Sequence, residues 1–243
     1  MFTETVTDTR GETATGAVSE EQVLALLKRA AGRDSCTVEA SRTGRVIVQR
    51  EVWDVGIAPK LRTIVCDPVA RIGAISPMMR EDLDAIIARD AYLVTKAQGT
   101  FRVNTGRISA GLRGIPAVAS QRLIDRGLVV LGGAYEATSN GYMPETRRPV
   151  RISLAARLVM LASDHQTRAS APAGYVRPAD TGMTGTAGLN KPGRRAGMVY
   201  DRISRAGCSC GGWSGVFDGA DEARRAARAH RQEAAAAMVR ALP

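Results

Sequence analysis

Histidine is almost absent from this chain: His165 and His230 are the only two in 243 residues. That leaves histidine-based acid–base or nucleophilic catalysis few options, and neither histidine stands with a serine and an acid in a recognisable order. There is no phosphate loop, no dinucleotide fingerprint and no two-histidine metalloprotease motif. Glu51 and Asp54 share a strand end, a pairing too common to mark general acid–base chemistry. The chain is therefore expected not to be an enzyme. Aromatic residues make up 4% of it, so any core must be aliphatic and alanine-rich. Four cysteines are too few for a dense disulfide framework. No stretch approaches the roughly 20 apolar residues of a membrane span. The opening MFTETVTDTRGETATGAVSEE is Thr-rich and acidic and has no apolar core of a secretory signal. A cytoplasmic protein with no membrane contact is expected.

What the sequence has is positive charge. The formal net charge is +10 and the isoelectric point near 10.1. Lysine stands only at Lys28, Lys60, Lys96 and Lys191, so nearly all of this charge is arginine. A basic chain tends to meet polyanions, of which nucleic acid is the commonest.

Patterning along the chain predicts an α+β protein of several small parts. Residues 1–18 are polar, lack periodicity and are expected to be disordered. SEEQVLALLKRAAGR predicts a helix with Ser19 and Gln22 as a capping box. CTVEAS, RVIVQREV and LRTIVC follow as strands, with Thr43-Gly44 as a turn. This defines an α-β-β-β unit over 19–75. Double-stranded-RNA-binding domains begin in the same order, but the acids Glu81, Asp82 and Asp84 open the next helix and would repel phosphate. The block 76–163 opens with a helix through REDLDAIIARDAYLV. Residues 164–200, rich in Gly, Ala, Pro and Thr, are expected to be a flexible linker. Residues 201–243 predict a β-hairpin and a long Ala-rich helix.

Within the middle block, GIPAVASQRLIDRGLVVLGG carries the most information. Pro116 suits a first helical turn and Gly127 a left-handed stop. Ala119 and Leu123 define a narrow buried face. Ile108, Ala110 and Leu112 precede it as a short element, and PVRISLAARLVML follows as strand and helix. ISAGLRGIPAVASQRLIDRGLV resembles the reading region of winged-helix bacterial transcription regulators, and the resemblance spans about residues 80–163. It implies duplex DNA as partner, with Ala117, Gln121 and Arg122 at base edges and Arg113, Arg147 and Arg148 at phosphate or the minor groove. A long wing loop, about Gly132–Arg148, and the acid Asp125 depart from that pattern. The functional expectation is a DNA-binding regulator or mobile-element accessory protein. The alternative is a protein–protein adaptor on a winged-helix scaffold.

Near the end, Cys208-Ser209-Cys210 would place two thiols on one face of a strand, with His230 on the next helix turned toward them. Three donors at this spacing fall short of a four-ligand zinc site, since His165 lies across the linker and Asp218 is expected to cap the helix. Small-residue packing around a satisfied histidine is the expectation, with zinc on Cys208, Cys210 and His230 as the alternative. CSCGGW followed by AHR resembles C-terminal modules of actinobacterial and phage proteins of unknown function. Arg224, Arg228 and Arg231 fall on one stripe of that helix.

Overall fold

In a computed structural model, residues 1–52, 60–70, 72–88, 91–95, 101–104, 114–139, 143–170, 174–176, 198–200 and 203–242 are described. They form an α+β protein in two compact units, Met1–Ser163 with Ala234–Pro243, and Asp164–Glu233.

The first unit begins with a hairpin where disorder was expected. Strands β1 (Phe2–Thr7) and β2 (Thr13–Val18) pair antiparallel along their whole length. The turn has its own chemistry: Asp8 Oδ1 accepts from the Arg10 and Glu12 amides at 2.8 Å, and Gly11 takes φ 86°. Those amide bonds hold the Asp8 carboxyl below its usual range, the Glu12 bond foremost. Phe2 anchors the hairpin at 1% exposure. The polar composition reflects strands that are mostly open to solvent, not an unfolded segment.

Helix α1 (Glu20–Ala31) has the expected capping box: Gln22 N–H donates to Ser19 Oγ at 3.1 Å and Ser19 N–H to Gln22 Oε1 at 2.7 Å. It buries Val23, Leu27 and Ala30. Strands β3 (Cys36–Ala40), β4 (Val46–Val52) and β5 (Lys60–Pro68) complete a sheet of order β2-β1-β5-β4-β3. The turn between β3 and β4 needs Gly44, which has φ 80°.

Helix α2 (Pro77–Ile87) is capped by Ser76 and stops well before the predicted Val94. Ala91–Thr95 is strand β6 instead. Tyr, Leu, Val and Thr in succession favour a pleated, half-buried surface, and that preference overrides the helical spacing of Leu93 and Val94. β7 (Phe101–Asn104) pairs with β6. Helix α3 (Ala117–Asp125) follows Pro116 and closes as expected: Gly127 takes φ 63°, and Leu128 N–H bonds to Leu123 C=O at 2.9 Å. β8 (Val129–Leu131), β9 (Tyr135–Ser139) and β10 (Met143–Ile152) come next. The second sheet has order β7-β6-β10-β8, and β9 also pairs with β10. The stretch expected as a long wing loop is thus largely strand. Helix α4 (Leu154–Asp164) buries six of its residues, Leu158 at 0% exposure. The proposed first helix of the helix-turn-helix, around Ile108–Leu112, lies outside the described residues.

The second unit replaces most of what was expected as linker that falls within the described residues. β11 (Thr167–Ala169) pairs with β14 (Ile203–Cys208), and β12 (Gly174–Val176) pairs with β13 (Met198–Tyr200). β14 turns back through β15 (Ser214–Asp218), and helix α5 (Ala220–Ala241) follows. Asp218 lies outside the helix, and its backbone N–H donates to Glu222 Oε2 at 2.9 Å, so it is not the side-chain cap predicted for it. The last turns of α5 belong to the first unit, where Ala235 and Val239 are fully buried and Arg240 donates to Ala31 C=O at 3.0 Å. No described helix is long and apolar enough to cross a membrane.

Phe2→Ala tests the N-terminal hairpin. An anchored Phe2 loses about 3–5 kcal/mol of unfolding free energy in urea titration; a disordered terminus would show no change.

Candidate metal centre

Both histidines of the chain meet two of its four cysteines in the second unit. The donor atoms of His165, Cys208, Cys210 and His230 all lie within 4.8 Å of one another. Four elements deliver them. His165 follows the end of α4 and precedes β11. Cys208 closes β14. Cys210 sits in the turn beyond it, and His230 faces the hairpin from α5. The turn is fixed by the Cys208 N–H to Trp213 C=O bond at 2.9 Å and by Gly211 at φ 72°. Ser209 locks the other side: its hydroxyl donates to Asp164 C=O at 2.7 Å and accepts from the Gln166 amide at 2.9 Å. These two bonds bring His165 beside the thiols.

Three of the six donor–donor distances are close to the edges of a zinc tetrahedron. Zn–N near 2.0–2.1 Å and Zn–S near 2.3 Å give edges of about 3.3 Å between nitrogens and about 3.6 Å between nitrogen and sulfur. His165 Nδ1 and His230 Nε2 are 3.3 Å apart, Cys210 Sγ is 3.5 Å from His230 Nε2, and Cys208 Sγ is 3.8 Å from His165 Nδ1. Two thiolates and two imidazoles fit zinc chemically, and four protein donors leave no open position for substrate. The arrangement suits a structural ion.

Electrostatics at the site pull in two directions. Burial, then the adjacent His165 ring, push His230 below the ordinary imidazole range, which keeps it neutral and able to donate. Burial pushes the Cys208 thiol up, and the neighbouring Cys210 thiol adds to this. Metal uptake must therefore displace thiol protons, and affinity falls as pH drops. Trp213 stacks on His230 with ring centroids 5.0 Å apart and planes at 9°, covering one side of the ligand ring. The other two cysteines stay away. Cys66 is fully buried on β5, its thiol pushed up to about 12 by burial, with Glu4 and Asp67 adding. Cys36 is on β3.

The sequence reading named three of these donors and missed His165, because the Gly- and Pro-rich segment behind it looked like linker. A signal was present: two histidines in the whole chain, one on each flank of a cysteine pair. The cysteines do not share a strand face; the turn after Cys208 brings Cys210 round to the histidines instead.

The described residues nominated for DNA lie on α3 and β10. Arg113 lies outside the described residues. Ala117 is half-buried at the start of α3, and Arg122 is exposed. Gln121 donates to Asp125 Oδ1 at 2.7 Å. Arg147 ion-pairs with Glu145, its Nε 2.7 Å from Oε1, and lies 4.3 Å from the Tyr92 ring centroid. Arg148 donates to Gly132 C=O at 3.1 Å. Neighbours on β10, these two arginines point to opposite faces. On α5, Arg231 turns to Thr167, while Arg224 and Arg228 are exposed.

Purified without chelator, the protein is expected to carry one zinc per chain by elemental analysis, and His165→Ala or Cys208→Ser to lose it. Zinc added to metal-free protein should release about two protons near neutral pH and alter Trp213 emission. Retention of zinc by His165→Ala would remove the fourth ligand. No protein-family model matches the chain, and neither does any curated protein or solved structure.

Proposed function

We propose that the chain is a DNA-binding protein whose C-terminal unit is a hairpin-and-helix module held by structural zinc. The observation that carries this reading is the closed set of two cysteines and two histidines between β14–β15 and α5. Hairpin, metal and helix in that order is how ββα zinc modules hold a helix for the major groove. Here one histidine comes from upstream of the hairpin, and one residue separates the cysteines. The exposed side of α5 carries Arg224, Arg225 and Arg228. Arg224 pairs with Asp221 at 2.6 Å, but both partners are solvated, and such a pair contributes at most about 1 kcal/mol. A phosphate displaces it at little cost. Net charge of +10 supplies the long-range attraction.

The winged-helix contribution belongs to the same proposal. Helix α3, strand β8, the β9–β10 hairpin and helix α4 follow the order that such domains use, and Arg122 is exposed on α3. A regulatory or mobile-element accessory role, without catalysis, is the corresponding biological reading.

The adaptor alternative has one observation in its favour. Arg147 and Arg148 are engaged within the first unit, and the outer side of α3 carries Val118 at 65% exposure, with Arg122 and Asp125 offsetting each other in charge. That surface suits a protein better than a polyanion.

Duplex binding measured across a salt series decides between them. The wild type is expected to bind. Arg224→Ala with Arg228→Ala should make the slope of log K against log salt shallower by about two, and zinc removal should weaken binding at every salt. Absence of binding at low salt would leave the adaptor.

A further inference from the structure

The first unit carries an arginine-rimmed cleft that neither the winged-helix pattern nor the zinc unit explains. It has a volume of about 250 Å³ and lies between α1 and the β3–β4–β5 sheet, with Arg29, Arg33, Arg50 and Arg62 around it. Its floor is apolar, from Leu26, Ala30, Val48 and Ile64.

Strand register makes the arrangement unusual. Arg50 is the direct cross-strand partner of Arg62, and Cys36 lies on the other side of Arg50. Like charges directly opposite one another destabilise a sheet. Among the described residues the carboxylate that shares this face is Glu4, which stands opposite Cys66, four residues along β5 from Arg62, while Glu39 and Glu51 sit one residue out of phase on β3 and β4 and face the other side. Arg33, Arg50 and Arg62 make no side-chain hydrogen bond or ion pair with another described residue. Asp34 stands beside Arg33 without pairing to it. Elsewhere the chain does pair its arginines, as in Arg45–Asp67 at 2.6 Å and Arg80–Asp84 at 3.0 Å. Arg29 and Arg33 have a partial structural reason, since the C-terminus of α1 favours cations. Arg50 and Arg62 have none among the described residues.

We infer that this cleft binds a phosphate group carried by a nucleotide, either free or within a nucleic-acid strand. Guanidinium forks match phosphate oxygens two at a time. The apolar floor raises the strength of that attraction and offers a dry surface to the sugar or base. The volume is below the roughly 300 Å³ of a pocket that encloses a whole small ligand. The cleft therefore holds the phosphate with only part of the adjoining sugar or base and leaves the rest of its carrier outside. This site is independent of the zinc unit.

The test uses the full chain with zinc bound, and four probes: fluorescein-labelled duplex and single-stranded DNA by anisotropy, and ATP and inorganic pyrophosphate by calorimetry. Arg50→Glu creates an ion pair with Arg62, so its melting temperature should stay level or rise while affinity falls about tenfold or more. Arg50→Gln with Arg62→Gln should also fold, and should reduce the salt slope for DNA by about two. Loss of DNA binding in these variants, with no ATP or pyrophosphate binding to the wild type, identifies a nucleic-acid strand as the source. ATP or pyrophosphate binding to the wild type that the variants lose identifies a free nucleotide, even where DNA does not bind at all. DNA binding that these variants leave intact, without nucleotide binding, overturns the cleft and leaves the zinc unit as the DNA contact. No binding of any probe overturns both.

Discussion

Four donors meet at one point in the second unit, where the apolar area buried by the described residues is small. Among its described residues the buried apolar side chains are Ala206, Ala223 and Ala227. Three methyl groups bury too little area to offset the entropy of ordering a unit of this size. Small units without a sufficient core need a cross-link, and disulfide or metal are the usual ones. All four cysteines are free thiols. Bonded to one ion, His165, Cys208, Cys210 and His230 tie the end of α4, the hairpin turn and α5 together at a single point. The small residues then make sense as spacers that let α5 approach the hairpin. Small-residue packing around the histidines draws on the same alanines, with Trp213 stacked on His230.

The first unit is held by ordinary means. A mostly aliphatic core runs from Phe2 through Val23, Leu27, Leu83, Leu93 and Leu123 to Leu158. Polar groups at element ends tie the pieces together. Glu20, in the first turn of α1, accepts the Leu154 amide at 2.8 Å and so caps the start of α4 from across the sequence. Arg126 donates to Ala74 C=O at 3.1 Å and fastens the end of α3 to the entry of α2. Such bonds are individually modest, but each satisfies a backbone group that a helix end or loop would otherwise leave unpaired.

Legibility in the sequence followed the range of the forces involved. Local chemistry was readable: the Ser19–Gln22 box, Pro116 and Gly127 act within a few residues, and the helices they bound lie where expected. Features set by distant partners were not. The Thr-rich start reads as disordered because the strand that organises it, β5, is some sixty residues away. Ala91–Thr95 reads as helix because Leu93 and Val94 fit a 3.6-residue period, and β10 supplies the ladder that overrides it. His165 was set aside for the same reason, since a ligand across a long low-complexity stretch leaves no spacing to read. The cleft arginines were individually plain in the sequence. Their opposition across β4 and β5 is a matter of register, which turns and pairing decide.

How the chain spends its arginines separates structural from available charge. Arg147 is occupied twice, by Glu145 and by the Tyr92 ring, and its guanidinium is pushed up by these partners against the burial that lowers it. Moving it onto a phosphate would break both contacts and leave Glu145 without its partner. Arg148 would give up the Gly132 carbonyl. Arg50 and Arg62, both exposed, face the reverse situation: neither has a side-chain partner among the described residues, so an incoming phosphate costs them no such bond. The same ligand therefore avoids at the cleft the cost it meets at the β9–β10 hairpin. For a chain so rich in one cation, the informative quantity is not how many arginines reach the surface but which of them bind an anion without giving up a bond.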